Sequence, residues 1–125
     1  MRTLGILLVV AIAAAVFRLL DPASATAATA ETALQADDPR INTGEDRVVM
    51  LVAQWCGYCR KLRSDFDGAR VAYHLLDIDT PEGARAMQAL GVPGVPVTVI
   101  GQDVVRGYDT RALNERLIPL GYRVY

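Results

Sequence analysis

The apolar residues of this chain fall into two blocks of different character, with a polar stretch between them. The first block runs from Leu4 to Phe17, broken only by Gly5, and shows no alternation. The second starts at Val48 and is cut into short runs by turn residues. Val48-Val49-Met50-Leu51-Val52 is rich in β-branched residues and predicts a strand buried on both faces. From Tyr58 to Phe66 helical spacing takes over, with Leu62 and Phe66 four apart, so a helix follows whose first turn holds Cys56 and Cys59. Val71 to Ile78 predicts a second strand, closed by Asp79-Thr80-Pro81. Thr80 suits the N-cap and Pro81 the first turn of a second helix, filled by Ala84, Met87, Ala89 and Leu90 and ended by Gly91. Val95 to Ile100 predicts a third strand, Gly101-Gln102-Asp103 a turn, and Val104 to Arg106 a fourth strand. After Gly107, Asp109 or Thr110 caps a last helix running to about Leu117, and the tail Ile118 to Tyr125 carries no clear pattern.

The resulting order is β-α-β-α-β-β-α, an α/β domain. Strand, helix, strand makes a right-handed parallel crossover, and the last two strands make a hairpin, so a four-stranded mixed sheet is expected, flanked by helices. The N-terminal apolar block changes the picture of organisation. Arg2 before it and Ala23-Ser24-Ala25 or Ala28-Thr29-Ala30 after it fit a cleaved signal peptide. Arg18 followed by Leu19-Leu20 also fits a short retained anchor over residues 4–20. Residues 1–25 are therefore read as signal peptide or membrane anchor, 26–46 as a linker poor in large apolar residues, and 47–125 as the domain. Either version places the domain outside the cytoplasm, in the periplasm or another extracytoplasmic space, secreted or held at the membrane.

Charge excludes one class of function. The chain has 13 Lys and Arg against 14 Asp and Glu, one lysine (Lys61) and no basic run. Nothing in it would track a phosphate backbone.

The chemistry lies in the two cysteines of the chain, Cys56 and Cys59. A stapling disulfide closes a longer loop, and a zinc site needs about four ligands, so a redox dithiol is the reading. On a helix, residues three apart share one side. At the N-terminus of that helix the unpaired N–H groups and the dipole stabilise a thiolate, and Arg60, Lys61 and Arg63 add positive charge. Cys56, exposed at the loop, is then the attacking nucleophile, and the better-shielded Cys59 resolves the mixed disulfide. Pro96, in Gly94-Val95-Pro96, is the candidate cis-proline, with Pro93 as its competitor. There the Val95 backbone would meet an extended peptide by strand addition. Trp55 and Tyr58 flank the dithiol and would cover it or touch a partner. His74 is expected to be packed in a buried strand, with metal ligation as the minor alternative.

Trp55-Cys56-Gly57-Tyr58-Cys59 followed by Gly91-Val92-Pro93-Gly94-Val95-Pro96-Val97 resembles the thioredoxin/glutaredoxin superfamily over roughly Arg47 to Leu117. The resemblance implies a thioredoxin fold, Pro96 as cis-proline and Cys56 as nucleophile. Trp55 and Gly57 resemble thioredoxins, and Tyr58 resembles glutaredoxins. Met50 stands where thioredoxins carry a buried aspartate. Gly107 and Asp109 match the glutathione-holding segment of glutaredoxins, whereas Arg106 replaces its first glycine and Ala53 stands where a lysine is usual. The function implied is a glutaredoxin-like thiol–disulfide oxidoreductase of the cell envelope, monomeric, exchanging with protein thiols and with glutathione as a further partner, and requiring no cofactor. Two alternatives belong to other classes: a module holding an iron–sulfur cluster between two subunits with glutathione, and a metallochaperone-type or heme-pathway thiol carrier.

Overall fold

In the computed structural model, which describes residues 33–41, 43 and 47–125, the apolar run Val48–Val52 forms strand β1 and is buried at every position. The segment expected to be signal or anchor lies outside the described residues. Among the described residues the order continues with α1 (Gly57–Gly68), β2 (His74–Asp77), α2 (Pro81–Leu90), β3 (Val97–Ile100), β4 (Asp103–Arg106) and α3 (Thr110–Leu117). The strands lie in the order β2-β1-β3-β4. β1 pairs parallel with β2 and antiparallel with β3, and β3 and β4 form the hairpin. This is the expected mixed α/β sheet. None of the described helices is long and apolar enough to cross a membrane.

Alternation along β1 divides the core. Val48, Met50 and Val52 face Leu62 and Phe66 of α1 and Leu113 and Leu117 of α3. Val49 and Leu51 face the other way, with Val97, Val99 and Ala86 of α2. Each fully buried large side chain contributes about 1.5–3 kcal/mol, so β1 anchors both layers, and α1 starts directly beyond its carboxyl end.

Two strands are shorter than expected, for identifiable reasons. The Val71 amide donates to Phe66 O at the end of α1, and the Ala72 amide to the Tyr122 hydroxyl, so neither joins the ladder until His74. Pro96 has no N–H, and pairing of the third strand begins at Val97. His74 is exposed on the edge strand rather than packed in a buried one. The helices start where the capping residues place them. Thr80 caps α2 through Gly83 N–H at 3.2 Å, and Gly91 ends it at φ +62°. Asp109, of the two candidates, caps α3. The tail adds a short 3-10 turn over Ile118–Leu120.

Part of the stretch read as linker is packed on the domain. Residues Pro39–Ile41 form a 3-10 turn, and Asp38 is buried with three bonds from the Arg40 guanidinium and one from its amide. Thr43 Oγ1 donates to Gly101 O at 2.6 Å, and Gln102 Nε2 donates to Arg40 O at 2.9 Å. These polar anchors, at the turn between β3 and β4, do the work that apolar periodicity does elsewhere.

A candidate dithiol active site

Cys56 is the N-cap residue of α1. Its backbone is extended (φ −85°, ψ 112°), its amide donates to Ala53 O at 3.2 Å, and its Sγ accepts the Cys59 N–H at 3.1 Å. The two cysteines are joined as a disulfide, with their Cα atoms 5.2 Å apart. Cys56 is 7% exposed and Cys59 1%. The order of shielding is as expected, but Cys56 is not the open loop residue that was expected. Its sulfur turns inward to cap the helix, and both cysteines belong to the core cluster under α1. Helix-end N–H groups of this kind favour negative charge on a sulfur at the capping position.

The loop before β3 supplies the second wall. The Val95–Pro96 peptide bond is cis, which decides between Pro96 and Pro93. Val95 is half-buried against the cluster that contains both cysteines. Pro96 O accepts the Gly107 N–H at 2.8 Å, and Gly107 has φ +72°, a conformation open to glycine, so the turn after β4 is tied to the proline loop. Asp109 is exposed and its carboxylate accepts the Ala112 N–H at 3.0 Å, so its documented task is to cap α3.

The basic residues of α1 have distinct surroundings. Arg60 Nη1 donates to Gln54 O at 3.1 Å, bracing the turn before Cys56. Lys61 Nζ sits 5.3 Å from the centre of the Tyr108 ring and 3.7 Å from Asp65. The Tyr108 hydroxyl and then Asp65 push its pKa up. Trp55 and Tyr58 are 69% and 66% exposed. Tyr58 stacks on Tyr108 with ring centres 5.9 Å apart, and Tyr108 meets Tyr125 edge-on. Tyr108 donates to Asp65 Oδ2, and burial, followed by the Tyr108 contact, raises the pKa of Tyr125. Tyr108 and Tyr125 were not recognisable beforehand. Isolated tyrosines 49 and 66 residues beyond Cys59 carry no local signal, and tertiary contacts alone bring them here.

Met50, which stands where thioredoxins carry a buried aspartate, is wholly buried in β1. His74 stands at the opposite end of the sheet from the dithiol, where it lines a cavity of about 870 Å³ with Tyr73, Asp37 and Arg47. Among the described residues no group of three His, Cys, Asp or Glu is placed to hold a metal ion.

The Glutaredoxin family model matches residues 48–105, which contain the whole sheet but the last residue of β4, together with the dithiol. The chain belongs to the thioredoxin/glutaredoxin superfamily. Solved structures agree. A buckwheat glutaredoxin in complex with glutathione superposes with a TM-score of 0.53 at 24% identity, covering 65% of this chain and 81% of that one. A wheat glutaredoxin gives 0.51 at 26% identity, covering 62% and 80%. The glutaredoxin-like NrdH-redoxin of Escherichia coli, described as having a thioredoxin-like activity profile, gives 0.50 at 21%, covering 55% and 92%. No curated protein matches the sequence significantly. With the Cys56–Cys59 pair in place, this is a glutaredoxin-like thiol–disulfide oxidoreductase. Its dithiol stores two electrons as two thiols and releases them on closing the disulfide.

Proposed function

We propose that Cys56 is the nucleophile of this oxidoreductase and Cys59 the resolving thiol. The observation that carries the assignment is the capping contact: Cys56 Sγ accepts an N–H at the helix end while Cys59 is the more deeply buried sulfur. A thiolate at Cys56 attacks a substrate disulfide, and Cys59 then displaces the substrate as a thiol. Val95 and Pro96 offer backbone to an extended substrate by strand addition, while Trp55, Tyr58, Gly107 and Asp109 border the approach.

Glutathione is the proposed small-thiol partner beside protein thiols. The Glutaredoxin match and the likeness to a glutaredoxin solved with glutathione support this reading. The chain acts as a monomer and needs no bound cofactor for exchange. The apolar block at residues 4–20, with Arg2 ahead of it, supports export to the periplasm as a secreted or membrane-held protein.

The test is trapping. Reduced Cys59→Ser protein given oxidised glutathione should accumulate a mixed disulfide at Cys56, identified by intact and peptide mass. Equal trapping by Cys56→Ser would refute the assignment of roles. Fractionation of cells expressing the whole chain tests export, and recovery of the protein with the cytosol would refute that part.

A further inference from the structure

We infer that Asp77 takes up the proton of Cys59 as the resolving thiol attacks, through water in a cavity lined by both residues. The inference rests on the assignment of Cys59 as the resolving thiol and adds the group that activates it. Cys59 is 1% exposed and lies among Val52, Leu62 and Phe66. Apolar surroundings raise a thiol pKa, yet only the thiolate attacks a disulfide. Beneath it β1 offers Met50, which has no proton chemistry.

A cavity of about 310 Å³ opens beside Cys59, and Gln54, Arg60, Arg63, Leu75 and Asp77 line it as well. A water takes roughly 30 Å³ of liquid volume, so a short chain of waters has room there. Among the described residues lining it, Asp77 is the sole carboxylate. Its position follows from the sheet. Asp77 pairs with Val52 across the parallel ladder, and Val52 faces α1, so Asp77 projects to the same side.

Both oxygens of Asp77 are placed for the task. Oδ1 accepts the Asp79 N–H at 2.9 Å, which fixes the carboxylate. Oδ2 has one long contact, 3.5 Å from Gln54 Nε2, and keeps capacity for water. Arg60 and Arg63 face the cavity from α1, and the exposed Asp79 follows Asp77 in its turn. The two guanidiniums supply countercharge to whichever of carboxylate or thiolate is ionised. Asp77 is itself half-buried, so it passes the proton on to solvent.

The step balances. Cys59 Sγ loses its proton to Asp77 and attacks Cys56 Sγ of the mixed disulfide. The Cys56–Cys59 bond forms, the bond from Cys56 to the substrate sulfur breaks, and that sulfur leaves with the electron pair and takes a proton from solvent.

The experiment is stopped-flow reaction of the reduced protein with dithiobis(nitrobenzoate), which releases one coloured thiolate when Cys56 attacks and a second when Cys59 resolves. Asp77→Asn keeps the acceptor for Asp79 N–H and removes the charge. It should leave the first phase unchanged and slow the second about tenfold or more near neutral pH, less than the roughly 10²–10⁴-fold of a directly placed acid or base because water intervenes. The second-phase pH profile should also move to higher pH, and Asp77→Glu should restore most of the rate. An unchanged second phase and profile in Asp77→Asn, or equal slowing of both phases, would overturn the inference. Cys59→Ser tests the underlying reading separately. Its remaining thiol, Cys56, should release one thiolate at the rate of the parent's first phase, and release far slower than that phase would overturn the assignment of roles.

Discussion

Helices α1 and α2 begin with the same structural problem and solve it with different atoms. Each leaves backbone N–H groups unpaired at its first turn. In α2 the Thr80 hydroxyl accepts the Gly83 N–H at 3.2 Å. In α1 the Cys56 sulfur accepts the Cys59 N–H at 3.1 Å. A hydroxyl is a good cap and has little further chemistry. A sulfur is a weak acceptor as a thiol, but becomes a nucleophile stabilised by the same amides once ionised. On the proposed reading the protein places its reactivity at a capping position, on a helix that also buries Leu62 and Phe66 in the core. α2, by contrast, is held by close approach as well. A Cβ on Gly83 would come within 2.0 Å of the Asp77 carbonyl oxygen, so the helix end sits directly on the end of β2.

The largest effect separating the two caps should come from Cys56→Ser. Serine is a preferred capping residue, so urea unfolding should match the reduced parent within about 0.5 kcal/mol, while exchange with glutathione or protein disulfides falls to background. Retained exchange would mean that the sulfur at the α1 cap is not the reactive one. Gly83→Ala should do the reverse, costing about 3 kcal/mol through overpacking against backbone, with the initial attack by Cys56 preserved in the folded fraction. An unchanged unfolding midpoint would show that α2 does not sit so close.

Asp38 extends the comparison to the packed stretch before β1, where an ion pair does the local closing. Burial opposes ionisation of its carboxyl, but the Arg40 guanidinium and amide outweigh this and hold its pKa below the usual range. A depressed folded pKa stabilises above the unfolded carboxyl value of about 3.9, and the contribution is lost as pH falls through the lower folded value. Asp38→Asn should therefore cost about 1.5 kcal/mol at pH 7, measured by urea unfolding. The gap to the parent should close in strong acid, and a gap independent of pH would contradict the ion pair. The smallest effect is expected for Thr80→Ala, about 1 kcal/mol of stability with exchange unaltered; a loss of exchange would remove the contrast between an inert cap and a reactive one.

Much of this arrangement was legible because it is local. The run Val48–Val52, the caps Thr80 and Gly91, and the spacing of Cys56 and Cys59 each state their role within a few residues. Pro96 was recognisable as a special backbone position and Gly107 as part of a glutaredoxin-like segment, though their mutual hydrogen bond was not. What escaped depended on contacts distant in sequence. Tyr108 meets Tyr58 and Asp65 of α1, and Tyr125 meets Tyr108, only because the turn after β4 and the tail return beside α1. Val71 and Ala72 look like strand, yet their amides go to Phe66 and Tyr122. The stretch around Asp38 and Thr43 looks like linker because polar anchors, unlike apolar ones, leave no periodic trace. His74 was expected inside because its neighbours are apolar, but it lies on the edge strand, where one flank meets solvent.

The most direct test of the account is the pH dependence of alkylation of the reduced protein by iodoacetamide, with each cysteine followed by peptide mass. The account predicts that Cys56 reacts first, with a midpoint well below the free-cysteine value of about 8.5, and that Cys59 stays unmodified until the protein is unfolded. A midpoint at or above that value for Cys56, or earlier modification of Cys59, would contradict it.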